Sequence, residues 1–82
     1  VKAAEQGLGK AQNTMGKLYF DGKGVPADYI MAHMWFNLAG AQNEKGARER
    51  CNELEKHMNQ EQLFEAHKRG REQISAITKR GQ

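Results

Sequence analysis

Few side chains in this sequence have both the type and the spacing that chemistry demands. Cys51 is the sole cysteine, which excludes an intrachain disulfide and a thiolate metal cluster. As a nucleophile it would need a base, and the candidates are His57 and His33. His57 lies about 120° from Cys51 around a helix, a poor angle for proton transfer. Cys51 falls instead on an apolar stripe with Ala47, Leu54 and Met58, so it reads as a small buried hydrophobe.

Metal binding would require His57, His67 and a carboxylate to converge, yet their spacing crosses a helix junction and matches no zinc pattern. Glu49 and Glu53 share one exposed helix face, and nothing suggests the burial that would tune them for acid–base work. The glycines of DGKGVPAD, residues 21–28, fit neither a phosphate loop nor a dinucleotide fingerprint, and no strand precedes them. Lys68, Arg69, Arg71, Lys79 and Arg80 cluster late in the chain. Glu65 and Glu72 interrupt them and no aromatic residue is interleaved, so nucleic-acid binding is the weaker reading. No enzymatic activity, cofactor or metal is expected.

The elements that would position these residues are helices. Eighty-two residues make one small domain, near the lower limit for a self-sufficient core. A net charge of +3 permits attraction to acidic partners without indicating nucleic acid. No apolar run approaches the roughly 20 residues needed to cross a bilayer, and no leader pattern opens the chain. The opening VKAAEQG reads as the tail of a helix already under way, Val1 to Gln6, so the sequence is expected to continue an array whose leader, if any, lies upstream.

A first helix is expected over Lys10 to Phe20, with Ala11, Met15, Leu18 and Tyr19 on one side and Lys10, Asn13, Lys17, Phe20 and Asp21 opposite. Gly16 in mid-helix costs about 1 kcal/mol against alanine, and the simplest reason for it is close approach of a neighbouring helix backbone. Phe20 is an aromatic on the polar face: it either packs under the following turn or anchors a partner. Gly22 and Gly24 permit positive φ, Pro26 blocks helix continuation and Asp28 suits an N-cap.

The second helix, about Tyr29 to Ala41, is the most apolar. Tyr29, Ala32, Trp35, Phe36 and Ala39 make one face, and Met31, Met34 and Leu38 widen it, so it should pack on two sides at once. A ligand or peptide groove is the alternative use of such a stripe. His33, near the polar edge beside Asn37, reads as solvated.

Asn43 is expected to cap a third helix from Glu44 to about Met58 with a narrow stripe at Ala47, Cys51, Leu54 and Met58. Asn59 with Gln62 resembles a capping box, flanked by a Met58–Leu63 staple, and opens the last helix. Its buried stripe is Leu63, Ala66, Gly70, Ile74 and Ile77, with Phe64 covering the junction to the third helix.

Self-comparison at an offset of 36 residues pairs Ala3 with Ala39, Gln6 with Gln42, Ala11 with Ala47 and Leu18 with Leu54, the periodicity of stacked helix pairs. AAEQG, AQ, MG, LY, DGKGVPADY, WF and LA together resemble the Sel1-like repeat, a relative of the tetratricopeptide repeat, over Ala3 to about Gln42. The unusual G-x-G-V-P-x-D-Y turn makes the match specific. Residues 44–82 look like a degenerate capping helix pair that lacks the glycine turn and the Tyr/Trp pair.

The resemblance implies an all-α superhelix of antiparallel helix pairs, with Ala11, Met15, Gly16, Tyr19, Ala32, Phe36 and Ala39 as packing positions. It implies an adaptor for other proteins, and bacterial members of this kind are exported or envelope-associated. In such arrays the first helix of each pair lines the concave surface. Asn13, Lys17 and Phe20, with Glu49 and Glu53 on the third helix, are therefore the expected contact residues. A purely structural cap with binding upstream is the alternative, with self-association possible through the exposed repeat ends. The fold alone names no partner.

Overall fold

The computed structural model describes residues 8–80, with the side chains of 77–80 left out of the description. Four helices follow in order: α1 (Gly9–Asp21), α2 (Tyr29–Ala41), α3 (Ala47–Glu55) and α4 (Gln60–Arg80). Among the described residues there is no strand. The helical tail expected over Val1 to Gln6, and Ile77 as a buried position, fall outside the described residues and side chains.

The turn between α1 and α2 forms as its residue types dictate. Gly22 closes α1 in the left-handed conformation at φ 71°, and its N–H and that of Lys23 both reach the Leu18 carbonyl at 2.8 and 3.1 Å. Asp28 then caps α2 by accepting from the Met31 N–H at 3.2 Å. Its own N–H bonds the Tyr19 carbonyl at 3.0 Å, which clamps the hairpin shut. The two helices run antiparallel, with Gly9 at the start of α1 against Gln42 at the end of α2.

Gly16 has the role expected of it, but a different neighbour. A Cβ there would sit 2.5 Å from Phe36 Cδ1, so the ring of Phe36, not a helix backbone, occupies the space. A single missing methyl lets the largest fully buried side chain lie flat across α1.

α2 is the central element and packs on two sides, as the breadth of its apolar arc requires. On one side Ala32 and Phe36 join Cys51, Leu54, Met58 and Ala66, with Tyr19, Ile30 and Leu63 against them. On the other, Met34, Trp35 and Leu38 join Met15, with Ala11, Leu18, Tyr19 and Met31 alongside. Each large side chain so buried contributes about 1.5–3 kcal/mol.

The second half departs from expectation first at the junction of α2 and α3. Asn43 does not cap α3: at φ 61° it terminates α2. Its N–H bonds the Gly40 carbonyl and the Glu44 N–H bonds the Ala39 carbonyl, at 2.9 and 3.0 Å, the paired closure of a Schellman motif. Asparagine tolerates this left-handed position better than most residues. With Gly46 also left-handed at φ 83°, α3 starts only at Ala47, three residues later than expected, and ends at Glu55. The narrow stripe itself holds: Ala47, Cys51, Leu54 and Met58 are all buried.

α4 begins with the capping box read from the sequence. Asn59 Oδ1 accepts from the Gln62 N–H at 2.8 Å, and Gln62 Oε1 accepts from the Asn59 N–H at 2.9 Å. α4 runs alongside α2 in the same direction, placing His67 against His33 and Gly70 against Met34. Leu63, Ala66 and Gly70 pack as expected, but Ile74 is exposed. Phe64 is 65% exposed and does not cover the junction.

Candidate functional site

The residues expected to form a contact surface divide in the structure. Asn13 is a correction: it is 8% exposed and buried against the rest of the hairpin. The apolar arc of α1 is broader than a helical wheel centred on Met15 allows, because Gln12, Asn13 and Gly16 are covered along with Met15. Lys17, Glu49 and Glu53 are exposed. Phe20 resolves neither way fully, standing 39% exposed with its ring stacked on Tyr29.

That stack is the core of the site. The Phe20 and Tyr29 centroids are 5.7 Å apart and their planes 20° from parallel. The two residues sit at opposite ends of the glycine turn, and the Asp28–Tyr19 backbone bond fixes their separation. Tyr29, 40% exposed, also meets His57 at 6.4 Å. Two half-open aromatic rings already held in register lose little side-chain entropy when a partner covers them.

Beside the stack, Phe20, Phe36, Arg50, Glu53 and Leu54 line a small depression of about 60 Å³. Arg50 is held over the Phe36 ring at 5.7 Å, a cation–π arrangement, and Glu53 pairs with Lys56 at 3.4 Å on the surface. Phe20 from α1 and Glu53 from α3 line the same depression. Glu49 and Lys17 line neither this depression nor the aromatic stack.

The other chemically able side chains form a separate cluster. His33, expected to be solvated, is 1% exposed. α4 lies over what a lone helix would present as a polar edge. His33 Nε2 donates to Glu55 Oε2 at 2.9 Å, and its ring meets the edge of His67 at 5.4 Å. Cys51 Sγ makes a weak contact to the His33 carbonyl at 3.8 Å. Burial pushes the Cys51 thiol up to about 12, with the Glu55 charge adding to the rise and Arg48 opposing it. Such a thiol holds almost no thiolate and is not poised for attack.

His57 stays with Tyr29 and so does not join His67. Among the described residues no group of three or more His, Cys, Asp or Glu side chains is placed to hold a metal ion. A cleft of about 280 Å³ between the ends of α2 and α3 is lined by Arg48, Cys51, Asn52, Glu55 and Ile74, with the protonated thiol as its only candidate nucleophile. Sequence reasoning missed the His33–Glu55 pair, whose partners lie 22 residues apart on different helices. The basic cluster on α4 is partly neutralised, since Arg69 bonds Glu65 at 2.8 Å. No helix of the described residues is long and apolar enough to cross a membrane.

No protein-family model matches this chain, and no curated protein matches it.

Proposed function

We propose that this chain is a non-enzymatic protein-interaction module of the Sel1-like helical-repeat kind. Its contact surface is the end of the first hairpin, where Phe20 and Tyr29 stand beside Arg50 and Glu53. The observation that carries this reading is the half-exposed Phe20–Tyr29 stack, locked by the turn and unclaimed by the core. Exposed aromatic anchors beside charged groups are what protein interfaces use for affinity and register.

Affinity capture tests it directly. Immobilised wild-type chain and a Phe20→Ala/Tyr29→Ala variant, first shown to have the same helical circular dichroism, are exposed to extract of the source organism. A protein retained by the wild type and lost from the variant supports the surface. Equal retention by both, or none by either, places binding elsewhere.

A second reading, that the chain closes a longer array and binding lies on preceding repeats, is favoured by Leu8. It leads α1 with its apolar side chain open to solvent, where a preceding helix pair would cover it. A longer chain with one more repeat would then protect Leu8 from hydrogen exchange and gain stability.

A further inference from the structure

The aromatic stack is one end of a longer shallow groove that runs across the starts of α2 and α4. Phe20, Tyr29 and Ile30 line its first part together with Asp28 and Gln62. Ile30, Gln62 and Phe64 line its second part together with Glu61 and Glu65. Phe64 is the most exposed large hydrophobic side chain among the described residues, and the packing of the four helices gives it no role. A floor of Ile30 between open aromatic rings at both ends is an exposed apolar strip of the sort that marks an interaction site.

The rim says what kind of partner fits. Asp28, Glu61 and Glu65 border the groove, and neither part is lined by a lysine or arginine, although the whole chain has 13 of them and a net charge of +3. The starts of two helices would ordinarily offer free N–H groups to an anion. Here the Asp28 side chain takes the Met31 N–H and the Asn59 side chain takes the Gln62 N–H, so each helix start already holds one acceptor of the chain's own at its N-terminus. The rim side chains therefore favour a cation over an anion, chiefly through Glu61, which has no ion pair among the described residues, and through Asp28, whereas Glu65 is already paired with Arg69.

We infer that this groove receives a segment of a partner protein that presents apolar side chains flanked by arginine or lysine. The inference rests on the protein-interaction reading above and deepens it by naming the partner's chemistry. Apolar side chains of the segment lie along Ile30 between Tyr29 and Phe64, and its cations face Glu61 and share Glu65 with Arg69. Rim charges of this kind set the encounter rate and its salt dependence more than the final affinity.

The probe is a fluorescein-labelled set of ten-residue peptides of the pattern Arg-X-Leu-X-X-Leu-X-Arg flanked by glycine, with a matched set carrying Glu for Arg. Anisotropy titration of the 82-residue chain is read at low and moderate salt, and amide shifts locate the bound peptide. The basic set should bind, shift Ile30, Gln62 and Phe64, and weaken as salt rises. Glu61→Gln/Glu65→Gln, conservative at two surface sites, should weaken binding about tenfold at low salt. Phe64→Ala should weaken it at every salt concentration.

Equal binding of the acidic set, shifts centred away from the groove, or an unaltered affinity in the double glutamine variant would overturn the inference. So would concentration-dependent self-association that masks Phe64, since the groove would then belong to a second copy. Capture of a partner that depends on Phe20 and Tyr29 but ignores Glu61→Gln/Glu65→Gln removes this inference and leaves the interaction reading intact.

Discussion

Gly16 and Phe36 are complementary to the width of a methyl group: a Cβ on Gly16 would come within 2.5 Å of the ring on α2. This contact sets the approach of α1 to α2, and α2 in turn carries everything else. The ring also lines the depression beside Phe20 and lies under Arg50, so the hairpin contact and the candidate surface share one side chain.

Gly16→Ala should therefore destabilise the fold. The gain in helix propensity is about 1 kcal/mol, and forcing the ring aside costs more, about 1–3 kcal/mol. A net loss lowers the melting temperature by about 4–8 °C per kcal/mol. Thermal melts check this, and Gly16→Ala combined with Phe36→Leu should cost less than the two single changes added. A stabilised Gly16→Ala variant would show that the hairpin is spaced by something else.

The reciprocal Asn59–Gln62 bonds predict a local effect at the start of α4. Asn59→Ala should cost about 1 kcal/mol in urea unfolding. Gln62→Ala should cost less, because the exposed Asn59 N–H can turn to water. The reverse ranking would mean that the cap contributes through Gln62's place in the groove and not through the helix.

Cys51 gives a prediction in pH. Its folded thiol titrates near 12 against an ordinary 9.0, so on raising the pH the unfolded chain loses this proton first. The stabilisation is present in full below about pH 9 and is lost progressively above it. Between pH 8 and 10.5 the wild type should lose about 2 kcal/mol more stability than Cys51→Ala in parallel urea titrations. Alkylation by iodoacetamide at pH 8 should be at least about a hundredfold slower in the native chain than in urea. Equal pH slopes for both proteins would contradict the buried protonated thiol.

Phe64 separates binding from folding. With its ring mostly in solvent, Phe64→Ser should leave stability within about 0.5 kcal/mol of wild type. A loss several times larger would show that the ring packs in solution and is unavailable to a partner.

Local signals made several elements legible. The glycine turn, the Asp28 cap, the two-sided apolar arc of α2 and the Asn59–Gln62 box all lie within a few residues of the groups they serve. The same holds for the stripe of α3 from Ala47 to Met58. What escaped the sequence depends on neighbours far along the chain. His33 is covered because α4 crosses a face that looks polar on a wheel, and its partner Glu55 comes from α3, 22 residues along the chain.

Asn13 escaped for the same reason, since the width of the buried arc on α1 is set by α2 and not by α1's own pattern. Asn43 was ambiguous in principle: asparagine suits both a helix start and a left-handed helix end, and the ladder of α2 decided between them. The candidate site was half visible. Phe20 and Glu53 were placed on one face, but Tyr29 was assigned to the core and the groove past Ile30 to Phe64 follows only from α4's course.

Site-specific photo-cross-linking tests the central claim most directly. A benzophenone side chain at position 20 is compared with one at position 45, in the loop at the far end of α2, in extract of the source organism. A discrete protein adduct from position 20, absent from position 45 and suppressed by excess unlabelled chain but not by its Tyr29→Ala/Phe64→Ala variant, is the predicted result. The same adducts from both positions, or none from position 20 while the chain stays folded, would contradict a partner-binding surface at Phe20 and Tyr29.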